Sequence, residues 1–170
     1  MKAKAAGSKA TKGMKKTKTP KTPKTPKNIV HSTCISTYPQ YDGDIEVKGE
    51  VKIRFSRDKT TELGFRFNLI GLEPNCTNCG IHIHAGSTCS NATMVLGHYW
   101  DASDSLPDPW TAEYGAVYNS NNMGNANGSF MLDSGLGSAA NDGHAVVVHA
   151  KDGSRVGCGV LTMEGSHHCY

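Results

Sequence analysis

Apolar and charged residues alternate along the first half of the folded part of the chain. Five apolar residues in this stretch are separated by charged ones: Ile45, Val47, Val51, Ile53 and Phe55. Successive side chains of a strand point to opposite faces of a sheet, so period-two alternation is typical of strands that bury one face. The pattern predicts a pair of strands with a bend at Gly49.

Three further segments have β character. Residues 64–72 repeat the alternation, and residues 80–84 and 145–150 are short runs rich in β-branched residues. The intervening segments are rich in Gly, Asn, Asp, Ser and Pro, which favour turns, and no long window has apolar residues at helical spacing. The sequence therefore predicts an all-β protein, an antiparallel sandwich or barrel.

Two histidines occupy alternate positions of one of these predicted strands. His82 and His84 project from the same face, with Cα atoms about 6.5 Å apart, and two imidazoles so placed can converge on one metal. A single His-x-His pair is weak support, because histidines on an ordinary polar face give the same spacing.

A second pair is ambiguous. His144 and His149 are five positions apart, so on a continuous strand they face opposite sides and only one can join a given site. Spacing alone does not choose between them. His98 lies in a predicted loop, 14 residues after His84. The remaining histidines lie near the termini and are expected to be exposed: His31, His167 and His168.

The charge of the chain is divided unevenly. Ten lysines lie within residues 1–27, which contain no Asp or Glu, so the remaining residues have 8 basic against 15 acidic side chains. A Lys-Thr-Pro repeat resists helix and sheet, and like charges repel. Residues 1–27 are therefore predicted to be a disordered basic arm, and residues 28–170 a single folded domain.

These features exclude several functions and leave others open. No apolar run approaches the roughly 18 residues of a membrane-spanning helix. The folded domain is acidic, so specific nucleic-acid recognition is not expected, and any attraction to an anionic surface or polymer belongs to the arm. The arm is also explained by a solubilising role without a partner, or by weak nucleic-acid binding that salt would abolish.

The cysteines and the amino-terminal residues favour different cellular locations for the protein. Six cysteines and three Asn-x-Ser/Thr sequons, at Asn75, Asn91 and Asn127, favour an extracellular or secretory location. The first residues contain no apolar segment of the kind that secretory signals have, so a cytoplasmic location is the alternative.

The motifs taken together resemble the copper/zinc superoxide dismutase family over roughly residues 45–161. The segments occur in the family's order: His82-Ile83-His84, Gly86, Cys89, His98, Val147-Val148-His149 and residues 153–160. The resemblance implies an eight-stranded Greek-key β-barrel that binds one copper ion and acts on superoxide.

The resemblance also implies roles for individual residues. His82, His84, His98 and His149 match the copper ligands, so that His149 rather than His144 is implied. Arg155 matches the arginine that guides the anionic substrate, and His98 is the implied proton donor. Cys89 and Cys158 match the family's intrachain disulfide. Three pairings remain open for the other cysteines: Cys34, Cys76, Cys79 and Cys169.

The sequence departs from the zinc-containing members of that family. No histidine lies between His98 and His144, where two zinc ligands are normally found, and only five residues separate His149 from Arg155. This resembles the copper-only branch, and zinc is not expected. Two other ways of building a zinc site are weaker. Asp101, Asp104 and Asp108 alone would make a poor site, and Cys76 and Cys79 would need further ligands from residues 167–169.

The sequence thus predicts a copper-dependent superoxide dismutase without a zinc site. The alternative is a non-catalytic copper-binding or structural protein with the same fold. Metal-bound histidines usually donate their second nitrogen to an acceptor. Asp101 and Asp152 are candidates for that role, although both also suit ordinary turns.

Overall fold

A computed structural model describes residues 1, 29–56, 59–104, 107–163 and 169. The predicted arm, apart from Met1, lies outside the described residues, as do His167 and His168. Among the described residues, no helix has the length and apolar character needed to span a membrane.

The described chain is almost entirely β structure. The strands are β1 (Val30–Thr37), β2 (Lys48–Phe55), β3 (Glu62–Ile70), β4 (Cys79–His84), β5 (Val117–Tyr118), β6 (Ala126–Asp133), β7 (Ala145–His149), β8 (Arg155–Val160) and β9 (Thr162–Met163). The helical elements are one α-helical turn, α1 (Ser138–Asn141), and two 3₁₀ turns, Ala102–Asp104 and Ala112–Tyr114.

The strands form an antiparallel, nearly closed barrel. Their order is β5-β4-β7-β8-β1-β2-β3-β6, and β9 pairs with β1. Strands that are distant in sequence, such as β4 and β7 or β1 and β8, are therefore neighbours in the sheet. This crossed order confirms the predicted all-β Greek-key barrel.

Alternation explains which side of the barrel wall is buried. Val51, Ile53 and Phe55 of β2 point inward, and Phe65 of β3 stacks on Phe130 with ring centroids 4.8 Å apart. The charged residues between them lie on the outer face. Only the inner face of these strands is apolar and shielded from water, as the period-two pattern predicts.

The segment that was predicted to form two strands with a bend at Gly49 contains one strand. β2 begins at Lys48 and runs through Gly49 without ending, and residues 45–47 lie before it. Gly49 has a φ of 152°, and a Cβ there would meet the Asn68 carbonyl oxygen of β3. The glycine therefore allows a close approach of two backbones inside the sheet and does not end a strand.

The sequence analysis did not predict β1, and its prediction that His31 is exposed was wrong. His31 is fully buried, not exposed, because β1 pairs with β2 on one side and with β9 and β8 on the other. Proximity to a chain end does not expose a residue whose strand is paired on both sides.

Three disulfides link the described cysteines. They are Cys34–Cys169, Cys76–Cys79 and Cys89–Cys158. The last pair is the one that the family resemblance implies, and it joins the segment after β4 to β8. Disulfides of this number are compatible with an extracellular location.

Candidate metal centre

Two histidines of the centre stand on β4, on the outer side of the barrel wall. Ile81 and Ile83 point into the core, and His82 and His84 project from the opposite face. Both imidazoles are nevertheless buried, with 8% and 3% of their surface exposed, because the segment after β4 folds back over them. His98 lies in that segment, and its backbone forms an isolated antiparallel β-bridge with that of His84.

Gly80 makes room for the first of these rings. A Cβ at this position would overlap Cε1 of His82 and would lie in ordinary contact with Cδ2 of His149, at 3.5 Å. Any side chain there would displace the His82 ring, so the glycine that begins Gly-Ile-His-Ile-His is part of the centre. The sequence analysis missed it, although a glycine inside a strand often marks such a close approach.

The end of β7 brings in the fourth histidine. His149 shares a strand face with Ala145 and Val147, which pair with His84 and His82, and it follows a register shift in the β7–β8 pairing. Its Nε2 lies 3.5 Å from Nε2 of His84. The structure therefore brings His149, and not His144, to the other histidines.

His144 has a different environment on the other side of β7. Its ring stacks on that of Tyr99, with centroids 3.9 Å apart. His144 lies directly before β7 and not within it, but its separation from His149 agrees with the parity expected five positions apart.

Three of the imidazoles converge closely enough to share a metal ion, and the fourth lies beside them. One nitrogen from each of His82, His84 and His98 lies within 4.8 Å of the others. The ring of His149 is centred 5.0 Å from that of His82 and 5.6 Å from that of His84.

Hydrogen bonds fix which nitrogen faces the centre. Nδ1 of His84 bonds the Leu96 carbonyl oxygen at 2.9 Å, Nδ1 of His149 bonds that of Gly153 at 2.9 Å, and Nδ1 of His98 bonds Oδ2 of Asp108 at 2.7 Å. A neutral imidazole that donates from Nδ1 keeps its lone pair on Nε2. Each Nε2 is then available as a metal ligand.

His82 differs in the nitrogen that it leaves free. Its Nδ1 is buried without a hydrogen-bond partner among the described residues. A buried nitrogen lone pair without a partner costs free energy, and a coordinated metal would remove that cost. The donor set of neutral imidazoles and this unpartnered nitrogen fit a copper ion.

A cation lies beside the histidines. Arg155 opens β8, and its guanidinium donates to the carbonyl oxygens of Ala92 at 2.8 Å and Leu96 at 2.9 Å. The charge of Arg155 contributes to lowering the pKa of both His84 and His149, so its positive potential reaches the centre.

A family model of copper/zinc superoxide dismutase matches residues 47–161, more than half of the chain and all four histidines. The chain belongs to the copper/zinc superoxide dismutase family. Members of this family bind copper, and the family's activity is superoxide dismutation. No curated protein sequence is similar enough to this one to count as a match.

The carboxylate that orients a histidine in this member of the dismutase family is Asp108. The sequence left two roles open for Asp101 and Asp152, and the structure supports the turn role: their carboxylates accept bonds from Ser103 and Ser154 within their own turns. Asp108 also accepts the N–H of Trp110 at 2.8 Å, which fixes its second oxygen. Nine residues lie between it and His98, so no local spacing predicts the contact.

Burial keeps His82 and His84 neutral in the metal-free protein. Desolvation is the main cause that lowers the pKa of His82 to about 2 and that of His84 to about 4. The neighbouring imidazoles lower both values further. Metal binding needs deprotonated ligands, so the centre is prepared for a cation at neutral pH.

This burial predicts that the metal-free protein loses stability as the pH falls below 6.5. An unfolded histidine binds a proton near pH 6.5, whereas folded His84 binds one only near pH 4. The unfolded state therefore holds more protons in this interval, and the free energy of unfolding falls by up to about 1.4 kcal/mol per pH unit for each such group.

Urea denaturation of the metal-free protein at pH 7, 6 and 5 measures this dependence. The variant His84→Gln is the control, because it removes one of the groups and should have a shallower slope. Equal slopes in the two proteins would contradict the explanation.

Proposed function

We propose that this protein is a copper-dependent superoxide dismutase that works without a zinc site. It would convert two superoxide ions and two protons into O2 and H2O2. The observation that carries the proposal is the convergence of His82, His84 and His98, with His149 against His84, beside the fixed cation of Arg155. The family match is independent support.

The histidines of the centre would hold the copper ion. We assign Nδ1 of His82 and Nε2 of His84, His98 and His149 as ligands, because these are the nitrogens that the hydrogen bonds leave free. Bound copper supplies a centre that can accept one electron and return it. The disulfide Cys89–Cys158 and the bond from Tyr118 to the His149 carbonyl oxygen, at 2.7 Å, hold the surrounding backbone in place.

His98 is the residue that we assign as the proton donor. Its Nδ1 is bonded to Asp108, and one quarter of its side chain is exposed. A carboxylate in that position stabilises the doubly protonated imidazolium. His98 could therefore carry a proton on Nε2 only while that nitrogen is not a metal ligand, and could release it to the reduced substrate in that state.

Two features support a centre without zinc. In zinc-containing members, the residue at the position of His98 bridges the two metals, whereas here its Nδ1 is bonded to Asp108. In the part of the chain that the structure describes, His82, His84 and His98 are the one group of three or more side chains whose ligand atoms could share a metal.

The test is dismutation by the full chain reconstituted with copper. After a chelator has removed loosely bound copper, the protein should decompose superoxide well above the rate of the metal-free protein and of protein given zinc alone. Activity no higher than that of the buffer would reject the proposal. Copper retained without activity would establish instead a copper-binding or structural protein.

We also propose that Arg155 attracts the substrate. The residues after the arm are acidic overall and would repel superoxide, so a local cation should raise the encounter rate. Arg155→Gln is expected to lower kcat/KM about tenfold and to weaken its dependence on ionic strength. Stopped-flow kinetics at several salt concentrations measures both.

The matched control is Lys151→Gln. Lys151 lies in the same turn region, but its Nζ donates to the Thr77 carbonyl oxygen and is not bonded near the histidines. Its replacement changes the net charge equally and should leave kcat/KM within about twofold. Equal losses of kcat/KM in the two variants would mean that Arg155 acts only through the net charge of the protein.

A partner for the arm is a separate proposal. Removing residues 1–27 should abolish binding to an anionic polymer such as heparin and leave dismutation by the domain of residues 28–170 unchanged. Retained binding would contradict it.

A further inference from the structure

A second group of reactive side chains lies where β1 meets α1. His31 of β1 is fully buried, and its Nε2 is 2.7 Å from Oγ of Ser138, the first residue of α1. Its other nitrogen, Nδ1, is 3.4 Å from Oδ1 of Asp142, the residue after α1. One imidazole thus stands between a serine hydroxyl and a carboxylate.

This group is separate from the metal centre. Among the described residues, no hydrogen bond, ion pair or ring contact joins it to the four histidines. Edge-on contact with Phe55, at 5.6 Å between centroids, fixes the ring of His31. Neither the copper chemistry nor the family match assigns it a role.

The three side chains are arranged as a nucleophile, a general base and a carboxylate that orients the base. When Nε2 accepts the Ser138 hydroxyl proton, the neutral ring carries its own proton on Nδ1, which faces Asp142. Burial lowers the pKa of His31, and Asp142 opposes that shift. The ring is therefore neutral at pH 7 and free to accept a proton.

The carboxylate is held independently of the histidine. Oδ1 of Asp142 accepts the backbone N–H of Met163 in β9 at 2.9 Å. The 3.4 Å between Asp142 and His31 is longer than a normal hydrogen bond. Catalytic bonds are often long in a free enzyme and shorten when substrate binds.

Ser138 has partial access to solvent, and the base has none. Ser138 is half-buried, and its neighbours Gly137 and Ala139 carry at most a methyl group. His31 has no exposed surface. A reagent would therefore have to approach from the side of Ser138, which limits substrates to compact molecules with an activated carbonyl or phosphoryl group.

We propose that Ser138, His31 and Asp142 form an activated serine centre that takes acyl groups from small activated esters. Oγ of Ser138 bonds to the carbonyl carbon while its proton passes to Nε2 of His31. The bond from that carbon to the leaving oxygen breaks, and the leaving alkoxide takes the proton. Water then repeats the sequence, releasing the carboxylic acid and restoring the serine.

The test uses a fluorophosphonate, which phosphonylates activated serines with loss of fluoride. The folded full chain is treated with the reagent, and the modified residue is located by peptide mass spectrometry. Ser129, an exposed serine of β6, provides the internal comparison. Ser138 should be modified at least about 100-fold faster, the usual size of a general-base contribution, and p-nitrophenyl acetate should be hydrolysed.

Two variants separate activation from folding. His31→Gln preserves a hydrogen-bonding side chain but removes the base, so the rate at Ser138 should fall to that at Ser129. Asp142→Asn retains an oxygen for the Met163 N–H and changes an exposed residue, so the fold should be unaffected while the rate falls about tenfold or more. Modification of Ser138 no faster than Ser129 in the folded chain, or equal rates in all variants, would overturn the proposal.

Discussion

Replacing His149 with Ala is expected to abolish copper-dependent dismutation. Its Nε2 lies 3.5 Å from that of His84 and would be lost as a ligand. Removing a residue that merely orients a ligand already lowers metal affinity 10- to 100-fold, so loss of the ligand itself should exceed about 100-fold. Copper retention during chelator titration and dismutation in the same sample measure the effect.

The control for this variant lies directly before the same strand. His144→Ala removes the same kind of side chain at a position that contacts Tyr99 and not the other histidines. It should retain copper and most of the activity. If both variants lose copper equally, the convergence of imidazoles around His149 is not what binds the metal.

Replacing Asp108 with Asn should give the second-largest effect, a loss of about 10- to 100-fold in copper affinity and activity. The amide keeps an oxygen for the N–H of Trp110 but removes the negative charge beside Nδ1 of His98. His98 then loses its charged hydrogen-bond acceptor, and its orientation weakens. Copper retention during chelator titration and dismutation in the same sample measure the two losses.

Asp101→Asn is the matched comparison. Asp101 is also in the loop after His98, but its carboxylate is bonded to Ser103. Copper affinity and activity should both remain within about twofold of the unchanged protein. An equal loss would mean that the loop as a whole, and not the contact between Asp108 and His98, supports the centre.

Local patterns were sufficient for the strands that bury one face. In β2 and β3, each apolar position that alternates with charge is buried, so period two predicts both the strand and its orientation. β1 has no such pattern: two of its buried residues are the polar Ser32 and Thr33, on opposite faces of the strand, and its pairing with three other strands cannot be read from its own sequence. Pairing between distant segments is not encoded in the sequence of either one alone.

The candidate centre was predictable to the extent that it depends on strand parity. His82 and His84 follow from the spacing on β4, and the choice of His149 needed the family resemblance in addition. Asp108 and Gly80 were missed for different reasons. The first contact depends on how a long loop closes, and the second depends on how close a neighbouring ring comes.

Metal content tests the central claim, a copper dismutase without a zinc site, most directly. The full chain is reconstituted with copper and zinc together, treated with a chelator and analysed by mass spectrometry, and dismutation is measured in the same sample. We expect one copper and negligible zinc per chain, with activity that survives chelation. Stoichiometric zinc would contradict the account, because it would require a second metal site that the four histidines and Asp108 do not provide.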